Sequence, residues 1–176
     1  VHASTFIYHQ NVFDMTTIPN HDKEVIKTLE ELLTGGHAHA TFDDAVKGLP
    51  VELRGVVPEG IPYSIWQLVE HIRITQSDIL EFSRDGAHES PKWPEGYWPK
   101  ETAPADDTAW NNSLAAIKSD LKAFVALLKA PDAALYKPFA HGDGQHLFRE
   151  ALLIADHTSY HTGEIIVIRR LLGAWK

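Results

Sequence analysis

The sequence predicts an all-α fold, an antiparallel four-helix bundle with one long crossover connection. Three observations carry that reading. Four long stretches place apolar residues at helical spacing. No stretch shows the two-residue alternation of a half-buried strand. The second and third periodic stretches are separated by a proline-rich connection, residues 84–105, of the kind that crosses over in a bundle.

The first helix begins after Pro19-Asn20 and carries Val25, Ile26, Leu29, Leu32 and Leu33 on its apolar stripe. Thr34-Gly35-Gly36 stops it, because glycine takes the left-handed conformation that closes a helix C-terminus. A short helix follows, with Thr41 as N-cap and Asp44 three residues on, and ends at Gly48-Leu49-Pro50. Residues 50–63, with three prolines and two glycines, read as a loop. Ser64 then caps the second long helix, and Gln67 completes a capping box. Ile65, Leu68, Ile72, Ile79 and Phe82 keep its helical spacing until Ser83-Arg84-Asp85-Gly86. The crossover holds Pro91, Pro94, Pro99 and Pro104 together with Trp93, Tyr97 and Trp98, aromatics that either line a functional loop or lid the core. The third helix runs from about Asp107 through Trp110, Leu114, Ile117, Leu121, Phe124 and Leu128, and Pro131 forbids its continuation. The fourth starts near Gln145, carries Leu147, Ala151, Ile154, Ile165, Ile168 and Leu172, and closes at Gly173. Trp66 and Trp110 read as core. Residues 1–19, which hold the only methionine at Met15, are expected to be an extension ahead of a single domain at 20–176.

Composition narrows the function. At 176 residues the chain can bury a substantial core, and 44% apolar with 23% charged residues is ordinary for a globular protein. Sixteen basic against 24 acidic residues leave a formal charge of −8, with no basic stripe for a nucleic acid or an anionic membrane. Without cysteine there is neither a disulfide framework nor a thiolate metal site. That usage, with no spanning apolar run and no signal-peptide pattern, leads us to expect a cytoplasmic protein.

The chemistry concentrates on the fourth helix. His157 and His161 are four residues apart, so they project from one helix face, one turn above the other. Ile154, His157, His161 and Glu164 fall in one stripe; Gln67, His71, Thr75 and Asp78 form another on the second helix. Where the helices pack, the stripes can meet and His71 can join the pair. Three imidazoles from two helices would leave a metal ion an open position, the arrangement of a catalytic rather than a closed structural site. Spacing alone leaves the alternative open, since with 11 histidines in the chain an H-x-x-x-H pair that is merely exposed or satisfied is the commoner outcome. Thr158, not glutamate, follows His157, which excludes an H-E-x-x-H metalloprotease helix.

Two longer segments sharpen this. Asp156-His157-Thr158-Ser159-Tyr160-His161-Thr162-Gly163-Glu164-Ile165, leading into Arg169-Arg170-Leu171-Leu172-Gly173, resembles the last helix of the DinB/YfiT-like family, with its D-H-x-x-Y-H-x-G-x-I pattern followed by R-R-x-x-G. Trp66 and the apolar stretch before Glu70-His71-Ile72 resemble the second helix of that family, and Asp107 to Trp110 resembles, less specifically, the opening of its third. The resemblance spans roughly residues 20–175. It implies a four-helix bundle in which His71, His157 and His161 bind one divalent transition metal, zinc or nickel suiting imidazole best. Relatives include thiol-dependent transferases and isomerases, and hydrolytic activity is also proposed in the family. The implied protein is a metal-dependent enzyme activating water or an external low-molecular-weight thiol toward a small-molecule substrate, and we expect a homodimer. The alternative is a non-enzymatic metal-binding or assembly protein on the same bundle.

Other residues divide more evenly. Glu164, the candidate catalytic carboxylate, can orient a ligand, act as a base, become a fourth ligand, or be a solvated side chain. Gln67 suits capping better than a site role, and Asp156, about 100° around the helix from His157, suits the surface. Tyr160 either donates to a substrate or packs. Arg169 and Arg170 fit complementation of the helix dipole better than a substrate carboxylate. His37, His39, His141 and His146 lie in or beside turn-like sequence and read as solvated; a His37/His39 metal pair lacks a supporting helix.

Overall fold

The computed structural model describes residues 20–35 and 38–175, so the expected N-terminal extension and His37 lie outside the described residues. All regular structure among them is helical: α1 (Asn20–Thr34), α2 (Phe42–Val46), a 3₁₀ turn at Val51–Leu53, α3 (Ile65–Arg84), α4 (Asp107–Leu128) and α5 (Leu147–Leu171). The 3₁₀ turn within the expected 50–63 loop is an addition.

Local chemistry sets the boundaries. Thr41 and Asp44 form a reciprocal capping box at the start of α2, and Ser64 and Gln67 form another at α3, each satisfying two otherwise unpaired helix N–H groups. Asp106 caps α4 by accepting from the Ala109 N–H at 2.7 Å. The cap of α5 is His146, whose Nδ1 accepts from the Arg149 N–H at 3.2 Å. Gly173, at φ +69°, turns the chain off the end of α5 in a conformation that a β-carbon would penalise.

α3 packs against α4 and α5, α1 against α4 and α5, and α2 against α5. The buried apolar side chains form two clusters. One joins α2, α3, α4 and α5 around Ile65, Leu68, Ile72, Ile165 and Ile168, with the expected core tryptophans Trp66 and Trp110 ring to ring at 6.2 Å. The other joins α1 to the far ends of α3, α4 and α5 through Leu29, Leu80, Phe124, Leu128 and Ile154. Leu32, expected on the apolar stripe of α1, is instead exposed. Gln76 is buried on α3, and its Nε2 donates to the Ile117 carbonyl of α4 at 2.6 Å, satisfying a polar group that would otherwise be costly there.

Arg169 departs from expectation. It does not face solvent to complement the helix dipole; it is buried, donating to the carbonyls of Ala45 at 2.6 Å, Lys47 at 3.0 Å and Ala174 at 2.8 Å, with its guanidinium over the Trp175 ring. It ties α2 and the chain end to α5. Burial lowers its pKa, yet a guanidinium remains charged at any ordinary pH. Arg170 is exposed.

Candidate metal centre

α3 and α5 bring His71, His157 and His161 together. One ligand nitrogen of each lies within 4.8 Å of the other two, and the Nε2 atoms of His71 and His157 are 3.0 Å apart. Imidazole nitrogens sharing a tetrahedral ion at bond lengths of 2.0–2.1 Å stand roughly 3.3 Å apart. His71 and His161 are buried at 3% and 6% exposure, and His157 is half-buried.

The outer nitrogens decide what the inner ones can do. His71 Nδ1 lies 3.0 Å from the Tyr97 carbonyl, which can only accept, so Nδ1 carries the proton and Nε2 keeps its lone pair. His161 Nδ1 faces Glu164 Oε2 at 2.6 Å, which fixes the same tautomer. The Tyr63 hydroxyl donates to the other Glu164 oxygen. Nε2 is therefore the nitrogen each ring keeps for a ligand, and that of His71 faces His157 Nε2 directly. Burial lowers the pKa of His71, the Tyr97 carbonyl working against that and His161 adding to it. Burial, with repulsion from His161 and His71, pushes His157 down to about 3. Neutral imidazoles with converging lone pairs are the form that ligates a transition ion, and the donor set fits one.

The crossover covers this cluster. The Trp98 ring stacks on His71 with centroids 4.0 Å apart and planes within 7°, stacks on Tyr63 at 5.5 Å, and meets His161 edge-on at 6.2 Å. Burial and the Glu164 carboxylate raise the pKa of Tyr63, keeping it a hydrogen-bond donor. Trp93 is 69% exposed with its ring 6.5 Å from His71. Tyr160 is 64% exposed, its ring 4.9 Å from His161.

Of the residues singled out from sequence, His71, His157, His161 and Glu164 are brought together. Gln67 caps α3, as expected, and also donates to the Pro99 carbonyl at 3.2 Å. Asp156 is exposed and outside the cluster. His39 is exposed, as expected, with Nε2 3.0 Å from Ser159 Oγ; His141 is exposed, its Nε2 2.8 Å from the Phe82 carbonyl. Sequence reading missed Tyr63 and the Tyr97 carbonyl. Tyr63 sits next to the Ser64 cap, which fixes its place at the N-terminal end of α3; a backbone carbonyl carries no sequence signal.

A family model of the DinB superfamily matches residues 36–165, most of the chain and all three histidines. No curated protein and no solved structure matches. No helix among the described residues is long and apolar enough to cross a membrane. The chain belongs to the DinB superfamily.

Proposed function

We propose that this DinB-superfamily chain is a metal-dependent enzyme in which His71, His157 and His161 hold one divalent transition ion at the junction of α3 and α5. The scaffold is read as an antiparallel bundle of α1, α3, α4 and α5, with residues 85–106 as its crossover. The observation that carries the proposal is the engaged outer nitrogen of two of the three histidines: an acceptor on each Nδ1 leaves each Nε2 free to ligate. A bound ion supplies Lewis acidity, lowering the pKa of a water or thiol at the position the three imidazoles leave open.

The protein's own residues do the rest. Glu164, with one oxygen on His161 and the other on Tyr63, serves as an orienting group rather than as a free base. Three neutral imidazoles leave the charge of the ion undiminished, which favours attack on a small electrophile. The chain has no cysteine, so a thiol nucleophile has to come from outside. The cover of Trp98 and Tyr97 shields one side of the cluster from water, while exposed Trp93 and Tyr160 stand at its edge.

The test is elemental analysis of protein purified without an affinity tag, followed by hydrolytic and thiol-transfer assays on loaded and chelated samples. We expect one ion per chain, lost when His157→Ala is combined with His161→Ala, and activity that disappears on chelation. Undiminished metal content in the double variant refutes the site. Bound metal with no turnover on any substrate favours the metal-binding protein instead.

A further inference from the structure

One polar stripe of α3 faces the crossover at helical spacing: Ser64, Gln67, His71, Thr75 and Asp78. The crossover runs along this stripe and is fastened to it at successive points. The Ser64 hydroxyl donates to the Thr102 carbonyl at 2.5 Å, the Gln67 amide to the Pro99 carbonyl, and His71 Nδ1 to the Tyr97 carbonyl. Thr75 adds no attachment; its buried hydroxyl has no partner among the described residues. The next fastening is Asp78, which accepts from the Tyr97 hydroxyl at 2.5 Å on one oxygen and faces His88 Nε2 at 2.7 Å with the other. Tyr97 therefore spans two turns of α3, about 10 Å, with its backbone on a histidine of the cluster and its ring tip on Asp78.

We propose that Asp78 is a positioning residue for the metal centre: by holding the Tyr97 hydroxyl it holds the Tyr97 carbonyl against His71 Nδ1, and so fixes the tautomer and ring plane of His71. The inference rests on the metal-site reading above. The partly buried carboxylate of Asp78 faces two crossover groups and no residue of the three-histidine cluster. Burial and Asp78 push the Tyr97 hydroxyl up to about 12, so it stays a donor across the working pH range. With its hydroxyl held on Asp78, the side chain of Tyr97 limits how far its own backbone can shift along α3, and Trp98, the next residue, stacks on the same imidazole. A carbonyl in a long loop is a poor anchor by itself; tied through its own side chain to the helix that carries the ligand, it moves with that helix. Groups that orient a metal-ligating histidine change metal affinity about 10–100-fold when removed.

The test uses Co²⁺ as the probe ion on the full chain, with Tyr97→Phe, Asp78→Ala, their combination, and Asp78→Asn. Tyr97→Phe removes one oxygen while keeping an aromatic ring and a backbone carbonyl at this position. We expect Tyr97→Phe and Asp78→Ala each to weaken Co²⁺ binding about tenfold and to alter its visible ligand-field spectrum. The double variant should be no weaker than the weaker single one, because both break one chain of contacts. Asp78→Asn keeps an acceptor for the Tyr97 hydroxyl and should retain most of the affinity. A second readout needs no metal: the His71 Nδ1–H proton in the NMR spectrum of chelated protein should be protected in the unmodified chain and in Asp78→Asn, and lost to exchange in Tyr97→Phe. If Asp78→Ala does not fold, Tyr97→Phe decides. If the unmodified chain takes no Co²⁺, the metal reading fails and the Nδ1–H readout still tests the positioning role. Unmodified affinity, spectrum and Nδ1–H protection in folded Tyr97→Phe overturn the inference, as do additive losses in the double variant.

Discussion

Replacing Glu164 probes the proposed centre most directly, because its two oxygens have different partners. One faces His161 Nδ1 at 2.6 Å; the other accepts from the Tyr63 hydroxyl. In Glu164→Gln one oxygen becomes an amide donor. If that donor faces His161, Nδ1 has to accept, the ring proton moves to Nε2, and the ligand lone pair is gone. If it faces Tyr63, the tyrosine hydroxyl can rotate and accept, and the histidine keeps its ligating tautomer. Metal binding selects the second orientation, so the amide loses the carboxylate charge but not the hydrogen bond. Charge-assisted hydrogen bonds are roughly twice as strong as neutral ones, and orienting groups on metal-bound histidines are worth about 10–100-fold in affinity. We therefore expect Glu164→Gln at the lower end, about 1.4 kcal/mol, and Glu164→Ala, which loses both bonds, near the upper end, about 2.7 kcal/mol. Competition titration of Zn²⁺ against a chromophoric chelator measures both, and thermal melts of chelated protein check that folding is retained. Equal, unmodified affinity in the two variants refutes the orienting role. So does a larger loss in Gln than in Ala at equal folding, since the amide would then be harming the site in its own right.

Two further outcomes follow from the surroundings of Arg169 and His157. Arg169→Met strands the Ala45, Lys47 and Ala174 carbonyls, and since an unmade buried hydrogen bond costs about 1–3 kcal/mol, part of it recovered by water at the exposed Lys47, we expect a loss of about 3 kcal/mol in urea unfolding; a loss under 1 kcal/mol would show that the guanidinium is dispensable. The pKa of His157 is held at about 3 against an ordinary value of 6.5, so between those values the unfolded chain binds the extra proton: stability is full above about pH 6.5 and falls as the pH drops toward 3, by at most about 1.4 kcal/mol per pH unit from this group. Urea midpoints at pH 7.5, 6 and 5 read the slope, and His157→Ala should reduce it; a midpoint that rises on acidification contradicts the burial of a neutral imidazole.

What could be read from sequence was local. The capping pairs Thr41/Asp44 and Ser64/Gln67 each close within one helical turn, so the starts of α2 and α3 were visible without any tertiary knowledge. The His157, His161, Glu164 stripe lies on one helix and is fixed by its 3.6-residue period. Bringing His71 to that stripe needs α3 to pack on α5, and the apolar faces that drive the packing, Ile65, Leu68 and Ile72 against Ile165 and Ile168, were legible too. The histidine cap of α5 was less so, because histidine is not among the side chains that usually start a helix, and the expected boundary fell at Gln145.

Long-range partners escaped for a different reason. Arg169 bonds to carbonyls more than a hundred positions away, and every residue carries a carbonyl, so neither its burial nor its role in pinning α2 has a sequence signature. The same holds for Tyr97 on His71. Its aromatic ring marked the crossover as more than a spacer, yet the group that touches the histidine is main chain. The three-histidine half of the candidate site is thus written in side-chain identity and period, while the half that orients it is written in where a loop's backbone comes to rest. For this reason a family pattern confined to the histidine helices can transfer the ligand set from one chain to another without transferring the control of tautomer and ring plane. In the proposed centre that control falls to Glu164 and Tyr63 on one histidine and to the crossover on the other, and on that reading divergence in residues 85–106 tunes metal affinity without changing any of the three histidines.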